Sequence, residues 1–134
     1  MPKAKNNSAG LPIGVDDIYA AAETIKGRVV RTPAIVSDKI SEISGAHVVL
    51  KLENMQHTGS FKPRGALTKL LSLKSEGDIS GVIAASAGNH AQGVAYHARA
   101  LGLPATIVMP VGTPFTKVAR TEALGAKTVL YGEG

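Results

Sequence analysis

Three short apolar runs alternate with two helical repeats between residues 81 and 131, and this alternation constrains the fold more than any other feature. The runs are GVIAAS (81–86), ATIVM (105–109) and KTVLY (127–131). Between the first two, Ala91, Val94, Ala95, Ala98 and Leu101 recur at helical spacing. Gly102 is the natural left-handed terminator there, and Pro104 prevents continuation. Between the second pair, Thr113 and Pro114 read as an N-cap followed by proline at the first helical position. Phe115, Val118, Ala119 and Leu124 carry that helix to Gly125. Short apolar strands joined by helices imply parallel pairing through right-handed crossovers. The expected fold class is α/β, an open, mostly parallel sheet with helices on both faces. The last strand runs into GEG with no closing helix, so the chain is expected to be part of a longer α/β protein.

Upstream, residues 1–14 read as a loose tail. DDIYAAAETIKG follows as a helix with Asp16 at its N-cap and Gly27 as its stop. Its apolar stripe is Ile18, Ala21, Ala22 and Ile25. RVVRTPAIVS reads as extended, with Pro33 confining it to an edge. DKISEISG is a short helix closed by Gly45, and HVVLKLE (47–53) is a β-rich run. After the polar loop NMQHTGS, a helix with the stripe Ala66, Leu67, Leu70, Leu71 and Lys74 ends near Gly77.

Composition narrows the function classes. The chain of 134 residues has no cysteine, which excludes disulfides and thiolate chemistry and fits a reducing cytosol. The four histidines, 47, 57, 90 and 97, show no metal-ligand spacing. The start, MPKAKNNSAG, carries no secretory signal, and the longest apolar runs are far too short to span a bilayer. A cytoplasmic location is therefore expected. The net charge of +5 raises nucleic acid as a partner. The basic residues are scattered, however, and only 4% of residues are aromatic, so no base-stacking platform is expected.

Ligands of open parallel sheets bind beyond the carboxyl ends of strands, where loops lead into helices. Two such turns stand out: NMQHTGSFK, and SAGNH after the strand 81–86. Both are small-residue turns into helices, where free N–H groups and the helix dipole attract anions. Neither a P-loop nor a complete dinucleotide fingerprint is present. Lys62 sits at a helix start, where a cation opposes the dipole at a cost of about 0.3–1 kcal/mol. Local physics alone favours an ordinary surface cation. The alternative is use: the positive helix end and desolvation both favour a neutral, nucleophilic amine. Pro63 fixes the backbone after it, and Gly59 and Gly65 remove bulk around it. Asn89 reads as a cap, and His90 as a general base, a carboxylate donor or another cap.

KLENMQHTGSFKPRGA, SAGNHAQGVA and ATIVMP, in that order, strongly resemble the threonine dehydratase (threonine ammonia-lyase) family. These are pyridoxal-phosphate enzymes of the tryptophan-synthase-β-like fold, and the resemblance runs from about Ile18 to the end of the chain. It implies pyridoxal 5′-phosphate as cofactor and a small amino acid as substrate. It implies Lys62 as the Schiff-base lysine that moves the proton at the substrate α-carbon. Phe61 would flank the cofactor ring, and Asn89 would hydrogen-bond its 3′-hydroxyl. Ser86, Ala87, Gly88, Asn89 and His90 would hold the substrate carboxylate. The implied reaction is α,β-elimination of L-threonine to 2-oxobutanoate and ammonia, with L-serine to pyruvate as a second substrate.

Serine racemases of the same group carry a serine two residues before the motif asparagine; here that position is Ala87, which disfavours racemisation. Family members are more than twice this long, and their phosphate-binding glycine loop lies further on. On the resemblance, residues 15–52 begin the large domain and residues 53–134 form the small domain. The isolated chain is expected to be inactive, and a full-length relative to be a homo-oligomer. The rival reading is a non-catalytic remnant or interaction module that binds a partner.

Overall fold

The computed structural model describes residues 13–133; residues 1–12, most of the expected tail, and Gly134 lie outside the described residues. The three apolar runs pair as a parallel sheet in the order β3 (Val82–Ala85), β4 (Ala105–Met109), β5 (Lys127–Leu130). Register is fixed by Ala84 opposite Ile107 and Ile107 opposite Thr128. The crossovers are α4 (Asn89–Ala100) and α5 (Phe115–Ala123). Sequential neighbours joined by right-handed crossovers place both helices on one face. That face holds the core: Ala105, Ile107 and Met109 of β4 pack with Ala91, Val94, Ala95 and Ala98 of α4. Val118 and Leu124 close it from the α5 side. On the opposite face Ile83 is 74% exposed and Val129 36% exposed, so the described residues do not supply cover there.

α3 (Lys62–Glu76) lies against α4 and buries Pro63, Ala66, Leu67 and Leu70. α4 is therefore enclosed on two sides. Its predicted stripe faces the sheet, while Gln92, Gly93 and His97 are also buried. A residue set that reads as amphipathic from its alanines and valine is in fact a wedged helix. Burial pushes the His97 imidazole down to about 4, and the nearby His57 charge adds to the effect.

The N-terminal part is lighter. α1 (Val15–Ile25) buries only Ile25 and leaves Ile18 63% exposed. Its N-cap is Gly14, not Asp16: the Asp17 carboxylate accepts from the Gly14 N–H at 2.7 Å, which places both acids in the first turn. β1 (Ala34–Val36) and β2 (Val49–Lys51) form a separate antiparallel ribbon. The expected strand 47–53 is thus only three residues, because its partner offers only three beyond Pro33. α2 (Asp38–Ser44) is capped by Ser37 and closed by Gly45 at φ +71°. α5 also starts one residue later than expected. Pro114 takes the cap position and its carbonyl accepts from Lys117, while the buried Thr113 hydroxyl has no partner.

Candidate active site

Lys62 is the first residue of α3, and Phe61 before it carries no capping side chain. The segment leading there descends from β2 through a single 3-10 turn, Glu53–Met55. It is tied to residues 30–32 by side chains. The buried Gln56 accepts from the Val30 N–H at 2.9 Å and donates to the Val30 carbonyl at 3.0 Å. Arg64, two residues into α3 from Lys62, makes a two-pronged pair with Glu53: Nε to Oε2 at 2.8 Å and Nη2 to Oε1 at 2.7 Å. Thr32 donates to Glu53 Oε1 at 2.5 Å, and Lys51 donates to the Thr32 carbonyl at 2.6 Å. The Arg64 hydrogen bond chiefly holds the Glu53 carboxyl down at about 2; desolvation opposes it, and Thr32 and Lys51 assist. The first turn of α3 is therefore fixed by charge-assisted bonds, not by a cap.

The Lys62 amine lies 5.0 Å from the centroid of the Phe61 ring, within cation–π range. Lys62 is half-buried, so the desolvation expected from sequence is partial. Phe61 is 60% exposed and its ring is open to a ligand. Thr58 and Ser60, in the turn just before, are buried with hydroxyl oxygens that have no partner. Gln92 Oε1 is a third such atom.

SAGNH stands where the open-sheet rule places a ligand. The Ser86 N–H extends the ladder by donating to the Val108 carbonyl at 3.0 Å, and the chain then turns into α4 at Asn89. Ser86 Oγ accepts from the N–H groups of Gly88 and Ala91, both at 3.3 Å. Capping of α4 thus falls to Ser86. Neither Asn89 nor His90 acts as the cap that their position suggested, and both are exposed. Gly88 has its amide turned toward Ser86, so it is not a free donor. The first-turn amides of Asn89 and His90 have no intrahelical acceptor, and they sit at the positive end of a twelve-residue helix. A Cβ on Gly88 would meet nothing within 4 Å, so the mouth of this turn is open.

What brings the two turns together is Gly93, a member of the SAGNHAQGVA stretch to which the sequence assigned no role. A Cβ built on Gly93 would stand 3.2 Å from the Lys62 carbonyl carbon and 3.2 Å from the Pro63 nitrogen. Asn89 lies one helical turn earlier on the same face of α4. The Lys62 backbone therefore packs on α4 one helical turn from Asn89. The signal available in sequence was a glycine inside a helical repeat, where it costs about 1 kcal/mol relative to alanine.

Comparison with known proteins identifies the family. Residues 25–134 match the family described as pyridoxal-phosphate dependent enzyme. The L-threonine ammonia-lyase of Thermotoga maritima is 50% identical over 120 residues, which is 90% of this chain and 30% of the relative. The crystal structure of a T.th. threonine deaminase superposes with a TM-score of 0.72 at 44% identity, covering 86% of this chain and 36% of that one. Maize serine racemase superposes with a TM-score of 0.81 at 35% identity, covering 90% and 36%. The chain spans about a third of the length of the proteins it matches.

Proposed function

The chain belongs to the family of pyridoxal-phosphate dependent enzymes, with the tryptophan-synthase-β-like, fold-type II architecture of its threonine deaminase neighbours, and from that premise we propose that it serves the α,β-elimination of L-threonine to 2-oxobutanoate and ammonia, with L-serine as a second substrate. The observation that carries this is the pairing of a primary amine at the start of α3 with the open N-terminus of α4, fixed across Gly93. The threonine ammonia-lyase named above, at 50% identity, supports the choice of substrate.

The residues fit the aldehyde-and-ring end of the cofactor. Lys62 offers the amine, Phe61 an exposed ring to lie beside it, and Asn89 a side-chain amide without a partner in its own helix. Unpaired hydroxyls of Thr58 and Ser60 add polar atoms in the turn that precedes the amine. Pyridoxal 5′-phosphate, when bound, supplies the electron sink that makes the α-proton of an amino acid removable. Lys62 would hold the group and take that proton. The amides of Asn89 and His90, with the turn Ser86, Ala87 and Gly88, would seat the substrate carboxylate. Elimination needs one base at the α-carbon, and Lys62 would be that base.

Racemisation would need a second acid–base group opposite the lysine. Ala87 has none, and the neighbouring Ser86 hydroxyl is engaged by two amides. We assign residues 15–52 to the large domain and 53–134 to the small domain of such an enzyme, working in the cytoplasm. The cysteine-free composition fits that reducing compartment. The sheet face that the described residues leave open offers surface for a homo-oligomer. The scattered charge gives no footprint for nucleic acid. The product would enter amino-acid metabolism, isoleucine synthesis included. The test is 2-oxobutanoate formation from L-threonine by the full polypeptide that the gene encodes. Lys62→Ala is expected to lower turnover by roughly 100- to 10,000-fold; unchanged turnover would sink the assignment.

A further inference from the structure

We propose that Gly93 is a positioning residue for Lys62, setting the separation between the reactive amine on α3 and the open end of α4. The inference rests on the reading of Lys62 as the cofactor-bearing lysine. Gly93 is buried in the interior of α4 and has no positive φ, so its backbone conformation does not require glycine. What requires it is space. The atoms that a Cβ would press on are the Lys62 carbonyl carbon at 3.2 Å, the Pro63 nitrogen at 3.2 Å and the Lys62 carbonyl oxygen at 3.3 Å.

All three are backbone atoms of the residue that carries the amine and of the one after it, so none can swing aside. Pro63 is itself almost fully buried, and its ring fixes φ. With φ of Pro63 fixed, a displacement at the 62–63 peptide is passed toward the Lys62 Cα. Other glycines differ. Gly125 meets the Arg99 side chain, which can move, and Gly112 meets nothing within 4 Å. Gly93 alone among the described glycines has the lysine of the site as its neighbour. Alanine at 93 would favour the helix while pushing the start of α3 outward by a few tenths of an ångström.

The test labels lysines with pyridoxal 5′-phosphate. Each amine condenses with the aldehyde and releases water, and borohydride then delivers hydride to the C=N bond. The stable adducts are counted by peptide mass spectrometry. Lys69 and Lys74 lie on the same helix and serve as internal references. In the unmodified protein Lys62 is expected to label in preference to both. Gly93→Ala is expected to lower the Lys62-to-Lys69 ratio by about fivefold, with helix content by circular dichroism unchanged. Gly112→Ala is expected to leave the ratio as it was. Without preference for Lys62 in the unmodified protein, the functional reading itself fails. A preference that survives in folded Gly93→Ala overturns the positioning role alone. So does an equal fall at all three lysines, or loss of the fold, because either would make Gly93 a general packing residue.

Discussion

Residues 15–52 and residues 62–130 contain similar kinds of element but hold them by different means. The first region has two helices and a ribbon, yet Ile25 and Thr32 are its only buried residues. The second has two helices on a sheet with a third packed against α4, and supplies every other member of the apolar core among the described residues. The difference follows from layering: a sheet face plus two helix layers encloses side chains, whereas a two-stranded ribbon beside short helices does not. The candidate site centres on the N-terminal ends of α3 and α4 in the packed region, and the lighter region is tied to that side through Glu53, Gln56 and Arg64. Polar bonds there do the positioning that apolar burial does elsewhere.

The strongest way to break that contrast is to delete the same side-chain volume in each region. Ile107 is fully buried at the centre of the sheet, and Ile18 is 63% exposed on α1. Ile107→Ala should cost about 2–5 kcal/mol from lost burial plus the cavity left behind. Ile18→Ala should stay within about 0.5 kcal/mol. Urea unfolding midpoints of the two variants check this. Equal losses would mean that α1 is more deeply packed than its exposure shows.

The seam between the regions sharpens the comparison at a smaller scale. Arg64→Ala removes both prongs of the Glu53 pair and should cost roughly 1.5–3 kcal/mol, the range for hydrogen bonds to a charged group. It should also change the pH dependence. The folded Glu53 carboxyl titrates near 2 against an ordinary 4.5. Because the folded value is depressed, the pair's contribution is full above pH 4.5 and is lost as pH falls toward 2. Stability measured across that window should slope less in Arg64→Ala. A slope of unchanged size would assign the acid sensitivity to other groups.

Much of the packed region was legible because its signals are local and periodic. GVIAAS, ATIVM and KTVLY are short apolar runs between helix-stop residues, and Gly102 and Pro104 leave little choice about where α4 ends. The lysine turn and SAGNH were visible as motifs. What stayed hidden was tertiary. The second buried side of α4 depends on α3 lying across Gln92, Gly93 and His97, and no periodicity in α4 announces a neighbour. Asn89 looked like a cap because its residue type suits one, but Ser86, three residues earlier, reaches the amides first. The Glu53–Arg64 pair joins residues eleven apart in different elements, a separation that carries no helical or strand period.

The smallest effects lie within the lighter region, where two ion pairs of nearly equal length have opposite orientation. Lys26 meets Glu23 at 3.0 Å and Lys39 meets Glu42 at 2.9 Å, and all four side chains are more than two-thirds exposed. Exposed pairs of this kind contribute little, about 0–1 kcal/mol. Orientation should still separate them. In α1 the glutamate precedes the lysine, and the lysine stands at the negative end of the helix. In α2 the lysine stands in the first turn and the glutamate near the end, so each charge opposes the dipole. Glu23→Gln should therefore lower stability by about 0.3 kcal/mol at low salt, and Glu42→Gln should change nothing or raise it slightly. Both differences should shrink in about 1 M salt, where the Debye length falls to about 3 Å and exposed charges are strongly screened. If the two substitutions cost the same at low salt, contact distance and not helix direction governs these pairs.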